Sequence, residues 1–151
     1  MIRESLPGDI IYLKDRLRKE EVEEIWASHN STPEQALLGS YLISIRCFTA
    51  LLNDRPIAMF GIAPETLLGE KACVWFLGTE LLDKIKKSFV VLSRKFISLM
   101  LNDYPYLYNF VDFRYKKSLQ WLKSCGAEIS DPKPFGPEGL PFCKVVLVRS
   151  N

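Results

Sequence analysis

The chain has 151 residues, 48% hydrophobic and 25% charged, with a formal net charge of +2. This suits one folded domain, expected over residues 1–151, and is too weakly basic to argue for a nucleic-acid partner. No apolar run approaches the roughly 18 residues of a membrane span, and Met1-Ile2-Arg3-Glu4-Ser5 lacks the apolar centre of a signal peptide.

Asp9 to Leu13 reads as a short first strand. Lys14 to Ala27 is strongly charged, with Leu17, Val22, Ile25 and Trp26 as an apolar stripe, and predicts a surface helix. Ser28-His29-Asn30-Ser31 breaks it. A second helix starts at Thr32-Pro33-Glu34, where Thr32 can cap, Pro33 suits the first helical position and Glu34 favours the positive end of the dipole. It runs to about Ser44. Arg46 to Leu52 and Ile57 to Ala63 predict a hairpin through Asn53-Asp54-Arg55-Pro56, with Pro56 arguing against the simplest two-residue turn.

The centre of the chain has the clearest pattern. Ala72 to Leu77 is a short apolar run ending at Gly78-Thr79, as in a strand buried on both faces. From about Leu81 to Leu101, the residues Leu81, Ile85, Phe89, Leu92, Phe96 and Met100 share one helical face. Tyr104-Pro105 stops that helix, and Leu107 to Val111 reads as the next strand. Strand, helix and strand imply a parallel crossover, whose sites lie beyond the carboxyl ends of the strands. A further helix runs from about Tyr115 to Cys125 with Leu119 and Leu122 inward, and Gly126 fits the position after its cap. The two helices, from Leu81 and from Tyr115, are expected on opposite or adjacent faces of the parallel pair. Glu128-Ile129 suggests a short strand, Asp131 to Pro141 a loop, and Phe142 to Val148 a last strand. The four cysteines, Cys47, Cys73, Cys125 and Cys143, form no Cys-x-x-Cys pair and read as buried thiols in a reducing cytosol.

The resulting order, β-α-α-β-β-β-α-β-α-β-β, resembles the GNAT family of N-acetyltransferases over nearly the whole chain. It implies an α/β fold with a central mixed sheet of about six to seven strands flanked by about four helices. Four stretches are similar, more narrowly, to the internal virion protein A family of T7-like phages: Ile25 to Glu34, Pro56 to Gly61, Leu77-Gly78-Thr79 and Phe135 to Phe142.

The GNAT resemblance implies an N-acyltransferase using acetyl-CoA on an amine. In that family the fourth strand offers backbone groups to pantetheine, a role that falls here to Trp75, Phe76 and Leu77. A glycine-rich loop at a helix start then wraps the pyrophosphate, an anion site by its free amides. This chain reads Gly78-Thr79-Glu80-Leu81-Leu82-Asp83-Lys84-Ile85-Lys86-Lys87, with one glycine only and two acids. Gly78, Thr79, Lys84 and Lys87 are the candidates for the phosphates. In the last helix Ser118 and Gly126 match the family pattern. The usual tyrosine acid position is Leu122, which leaves Tyr115 as the candidate acid. His29, the sole histidine, is a candidate base in a loop that borders the acceptor in the family, or a packing residue beside Trp26. Glu65 and Glu70 are alternative bases. The Tyr104, Tyr106, Tyr108, Phe110 and Phe113 cluster suits either ligand stacking or a half-buried sheet face. The proline-rich stretch from Phe135 to Phe142 suits either a binding loop or a cover for the sheet edge.

Two readings follow. One is an acetyl-CoA-dependent N-acyltransferase. The other is a degenerate GNAT-like phage virion or host-interaction protein that works by contact, since one fold hosts many functions. The expected partner is an amine substrate or a phage or host protein, and the expected location is the host cytoplasm or a virion.

Overall fold

Strands β1 (Ile2–Glu4), β2 (Arg46–Leu52), β3 (Arg55–Pro64), β4 (Lys71–Gly78), β5 (Tyr106–Asp112), β6 (Glu128–Ile129), β7 (Lys133–Phe135) and β8 (Leu140–Val148) form one eight-stranded mixed sheet. Its order is β1-β2-β3-β4-β5-β8-β6, with β7 paired to the other end of β8. Five helices flank it: α1 (Pro7–Leu13), α2 (Lys19–His29), α3 (Pro33–Ile43), α4 (Lys86–Asp103) and α5 (Lys116–Ser124). The computed structural model describes residues 1–150, and Asn151, the last residue of the expected domain, lies outside them. Among the described residues no helix is long and apolar enough to cross a membrane.

The α/β class and the mixed sheet are as expected, with more elements than the sequence pattern indicated. The stretch from Asp9 to Leu13 is helix, not strand. Its run of β-branched residues is overruled by the helix start before it. Pro7 supplies the fixed φ of a first turn, and the Asp9 carboxylate accepts the Leu6 N–H at 2.8 Å. The first strand is instead Ile2–Glu4, which pairs with β2. Thr32 caps α3 as expected, in a reciprocal box with Gln35. The β2–β3 hairpin does turn on two residues, Asn53 and Asp54, at φ of 51° and 62°. These are the left-handed values that a tight hairpin turn needs. Pro56 is absorbed by a bulge, where the register shifts between Ala50 and Leu51.

β4 and β5 are parallel neighbours joined through α4. The connection opens as a 3-10 turn over Glu80–Ile85 before the α-helix begins at Lys86. α1 and α3 cover one sheet face, where Ile10, Leu13 and Leu37 pack on Met59 and Trp75. α4 and α5 both cover the other, with Met100 and Leu119 over Ile62, Leu107 and Val145. The expected separation of these two helices onto different faces is therefore corrected. Alternation explains why: Ala72, Leu107, Val111, Val145 and Leu147 make one continuous apolar strip that needs a lid. The opposite side of β5 carries the half-buried Tyr106, Tyr108 and Phe110.

Candidate functional site

The parallel pair holds together only from Lys71↔Tyr106 to Cys73↔Tyr108 and then diverges. From this parting a cleft of about 530 Å³ runs beneath α4 and α5, reaching Ala50 and Phe60 of β2 and β3 and Val145 of β8. Its walls are apolar, with Phe76, Phe89, Val111, Trp121 and Leu122, and Asn109 and Ser118 are polar points among them. Arg18, Glu21 and Glu24 of α2 line it too, together with Tyr115 and Lys86. The aromatic walls are held by contacts among themselves: Phe89 stacks on Trp121 with centroids 5.1 Å apart, and Phe76 lies 5.8 Å from Trp121.

α2 is docked over the carboxyl ends of both strands. The Arg18 N–H donates to the Gly78 carbonyl at 2.9 Å, and the Asp112 N–H donates to Glu24 Oε2 at 3.1 Å. This turns the helix against its sequence pattern. Val22 and Trp26 of the expected apolar stripe are exposed at 38% and 51%, while Glu21 and Glu24 point inward. Glu21 pairs with Arg18 and faces the Gly78 N–H, yet burial still pushes its carboxyl up. Glu24 is raised to about 8, by burial first and then by the neighbouring Glu21 and Asp112 carboxylates. Asp112 itself is fully buried and gripped by the Arg114 guanidinium at 2.7 to 3.1 Å.

Phe76, Ser118 and Tyr115 line the cleft, while Trp75 borders it from the β4 backbone, its indole on the other sheet face donating to Ser44 Oγ at 2.7 Å. Leu77 faces the other side of the sheet, beside Met59 and Trp75. Gly78 and Thr79 are not on the cleft wall, and the Thr79 amide is already engaged. The Thr79 N–H donates to the Ile57 carbonyl at 2.9 Å, and the Gly78 carbonyl accepts from the Arg18 N–H at 2.9 Å. Gly78 makes room for packing instead: a Cβ there would lie 2.3 Å from Leu82 Cδ1. Lys86 reaches the cleft, whereas Lys84 and Lys87 do not line it. Tyr115 is an encumbered acid. Its hydroxyl donates to Glu23 Oε2 at 2.6 Å, and burial with that carboxylate holds the phenol well above its ordinary range.

His29 is exposed and away from the cleft. Its Nδ1 lies 2.8 Å from Ser28 Oγ, and its ring meets Phe135 edge-on at 6.2 Å. Glu65 and Glu70, at the far ends of β3 and β4, do not line the cleft either. The Phe135 stretch is packed down: Phe135 stacks on Phe110 at 4.5 Å, and Gly136, at φ 76°, leaves no room for a side chain against the Ala27 carbonyl. Sequence reasoning missed Glu21, Glu24 and Asn109. The spacing Glu21, Glu24, Ile25, Ser28 is a helical stripe in its own right, hidden because glutamate is ordinarily a solvent-facing residue.

Comparison with solved structures finds the same architecture. The ribosomal-protein-alanine N-acetyltransferase from Brucella melitensis matches with a TM-score of 0.72 at 10% identity, over 99% of both chains. The aminoglycoside acetyltransferase AAC(6')-Ib in complex with coenzyme A matches with a TM-score of 0.71 at 19% identity, over 99% of this chain and 94% of that one. Aminoglycoside 6'-acetyltransferase type Ii matches with a TM-score of 0.68 at 15% identity, over 98% and 96%. By sequence, residues 60–132, just under half the chain, match the family described as Bacteriophage T7, probable scaffold protein Gp13. That span includes Leu77-Gly78-Thr79 but neither the Ile25 nor the Phe135 stretch. No curated protein matches by sequence. The architecture is that of a GNAT-type N-acetyltransferase fold.

Proposed function

We propose that this chain binds an acyl thioester of coenzyme A in the β4–β5 cleft and transfers the acyl group to an amine, with Glu24 as general base. The observation that carries the reading is the inward Glu24 carboxyl, raised to about 8 at the edge of an apolar cleft. A base is most effective when its pKa lies near the working pH. The thioester supplies an activated carbonyl and a thiolate leaving group. Nitrogen attacks the carbonyl carbon, the carbon–sulfur bond breaks, and Glu24 takes the proton that nitrogen sheds. The pantetheine arm would run along the apolar wall past Phe76, Ser118 and Trp121. With the Thr79 amide engaged and Gly78 off the cleft wall, the phosphates would meet Lys86 and the first turn of α4, which has no side-chain cap. Lys84 and Lys87 then act as no more than a surrounding field.

The test is a thermal shift with acetyl-CoA. Ligand at about a hundred times its dissociation constant adds roughly 2.7 kcal/mol to the folded state, which moves Tm by several degrees in a domain of this size. Lys86→Glu is expected to weaken binding more than Lys84→Glu or Lys87→Glu. No shift at millimolar cofactor would overturn the reading. The second reading, a phage virion or host-interaction protein acting by contact, is favoured by two observations: the Thr79 amide taken up by the Ile57 carbonyl and the match of residues 60–132 to a phage family.

A further inference from the structure

We propose that Asn109 is a gate in the β4–β5 cleft, standing in for the secondary amide of an extended ligand. The inference rests on the acyl-CoA reading above. Where two strands part, each leaves backbone groups without a ladder partner, and buried groups of that kind must be paired. The ladder here ends at Cys73↔Tyr108, and the next residues are Val74 and Asn109. The Asn109 carboxamide bridges the gap. Nδ2 donates to the Val74 carbonyl at 2.7 Å, and Oδ1 accepts from the Phe110 N–H at 2.7 Å. One amide thus satisfies a carbonyl of β4 and an amide of β5 at once. An extended ligand carrying secondary amides, such as a pantetheine arm, presents the same donor and acceptor. A second observation points to such a ligand: the Trp121 Nε1–H, on the wall of the same cleft, is buried and has no hydrogen-bond partner. An incoming amide carbonyl would supply one.

The ligand must therefore displace Asn109 before it pairs with Val74 and Phe110. A site that is open only part of the time binds more weakly by that fraction. The experiment compares wild type with Asn109→Ala and Asn109→Ser, using coenzyme A as the probe. Each protein is melted with and without it, and titrated by calorimetry. The gate predicts a lower Tm for the free variants, whose Val74 carbonyl and Phe110 N–H are left unpaired. It predicts recovery to the wild-type Tm at saturating coenzyme A, and binding roughly fivefold tighter, from the hydrogen bonds no longer broken. A purely structural asparagine would lower Tm equally with and without coenzyme A and leave affinity unchanged or weaker, which overturns the gate while the acyl-CoA reading stands. Binding by the variants alone would mean that the gate is closed in the wild type. Binding by none of the three overturns the acyl-CoA reading, and the gate with it.

Discussion

Two carboxylates on the first two helices, Asp9 and Glu24, are both drawn inward, and they end in opposite electrostatic states. Asp9 accepts four hydrogen bonds: two from the Arg3 guanidinium at 2.8 Å each, one from the Leu6 N–H at 2.8 Å and one from Thr49 Oγ1 at 2.7 Å. Burial pushes its carboxyl up, and these donors outweigh burial and hold it below the usual range. Glu24 accepts a single backbone N–H, and its nearest charges include two other carboxylates. Burial wins, and the carboxyl exchanges its proton at about pH 8, where its ionised form can serve as a base. A carboxylate held by four donors fastens β1 and β2 to α1 and stays ionised, with no proton to exchange in the working range. A carboxylate starved of donors is costly to ionise, and for that reason can exchange a proton with something placed beside it.

The largest expected effect separates these roles by activity. Glu24→Gln keeps an acceptor for the Asp112 N–H and removes the proposed base. Acyl transfer should fall by about 10²- to 10⁴-fold, the usual worth of general base catalysis, while coenzyme A affinity measured by calorimetry stays unchanged. Full activity in the variant would erase the distinction between the two acids.

Next is the pH dependence of stability, in which the two carboxylates carry opposite signs. Glu24 in the fold binds its proton more tightly than in the unfolded chain. Between the ordinary glutamate range and about 8 the folded state therefore holds the extra proton, and stability drops as pH rises. The loss is at most about 1.4 kcal/mol per pH unit in that window. Glu24→Gln should flatten it, matching wild type near pH 5 and exceeding it at pH 8 to 9 in urea melts. Asp9 works the other way. Its contribution is complete above the unfolded aspartate range and is lost as pH falls through its depressed folded value.

The sheet was legible in the sequence because periodicity reports burial directly. Ala72 to Leu77 and the Tyr104-Pro105 stop lie where expected, since each depends on neighbours a few residues away. Of the α4 stripe Phe89, Phe96 and Met100 face the sheet, while Leu81 and Ile85 fall in the preceding 3-10 turn and Leu92 is exposed. α1 was misread because Ile10 and Ile11 carry a strand-like pattern while Pro7 and Asp9 decide the backbone. α2, expected over Lys14 to Ala27, starts five residues later, at Lys19, and is rotated from its apolar stripe. Its apolar Val22 and Trp26 face out because the ends of β4 and β5 bind Glu24 and Arg18 instead, contacts 88 and 60 residues distant in the chain. The same long-range docking explains the site. His29 stood out because it is unique, and Lys84 and Lys87 because they follow a glycine. Glu24 and Asn109 are ordinary residue types, and only the divergence of two strands makes either notable.

The Asp9 region can also be broken on its own. Asp9→Asn keeps the shape and forfeits the charge that faces Arg3, and should cost about 1–3 kcal/mol in denaturant unfolding. The lower end is favoured because the Arg3 side chain is about one-third exposed (34%). Acyl transfer by the folded fraction should not change. A loss of activity larger than the loss of folded protein would mean that the two regions are coupled through the sheet.

The smallest effect concerns two buried threonines, one in each region. Thr49 is fully buried, and its hydroxyl joins Ser5 Oγ at 2.8 Å to Asp9 at 2.7 Å. Thr49→Val keeps the volume and strands both neighbours, so it should cost about 1–2 kcal/mol. Thr79 is 4% exposed, at the end of β4, and its hydroxyl has no partner at all. Thr79→Val removes an oxygen that pays desolvation and gains nothing, so the free protein should be unchanged or stabler by up to about 1 kcal/mol. The sign is informative because the two substitutions are chemically identical. If Thr79→Val instead destabilises the free protein as Thr49→Val does, its hydroxyl has a partner in solution. The end of β4 is then as fully satisfied as the Asp9 region. If the variant is stable but binds coenzyme A more weakly, the orphan hydroxyl belongs to the ligand, and the unsatisfied groups near the cleft extend one residue past Gly78.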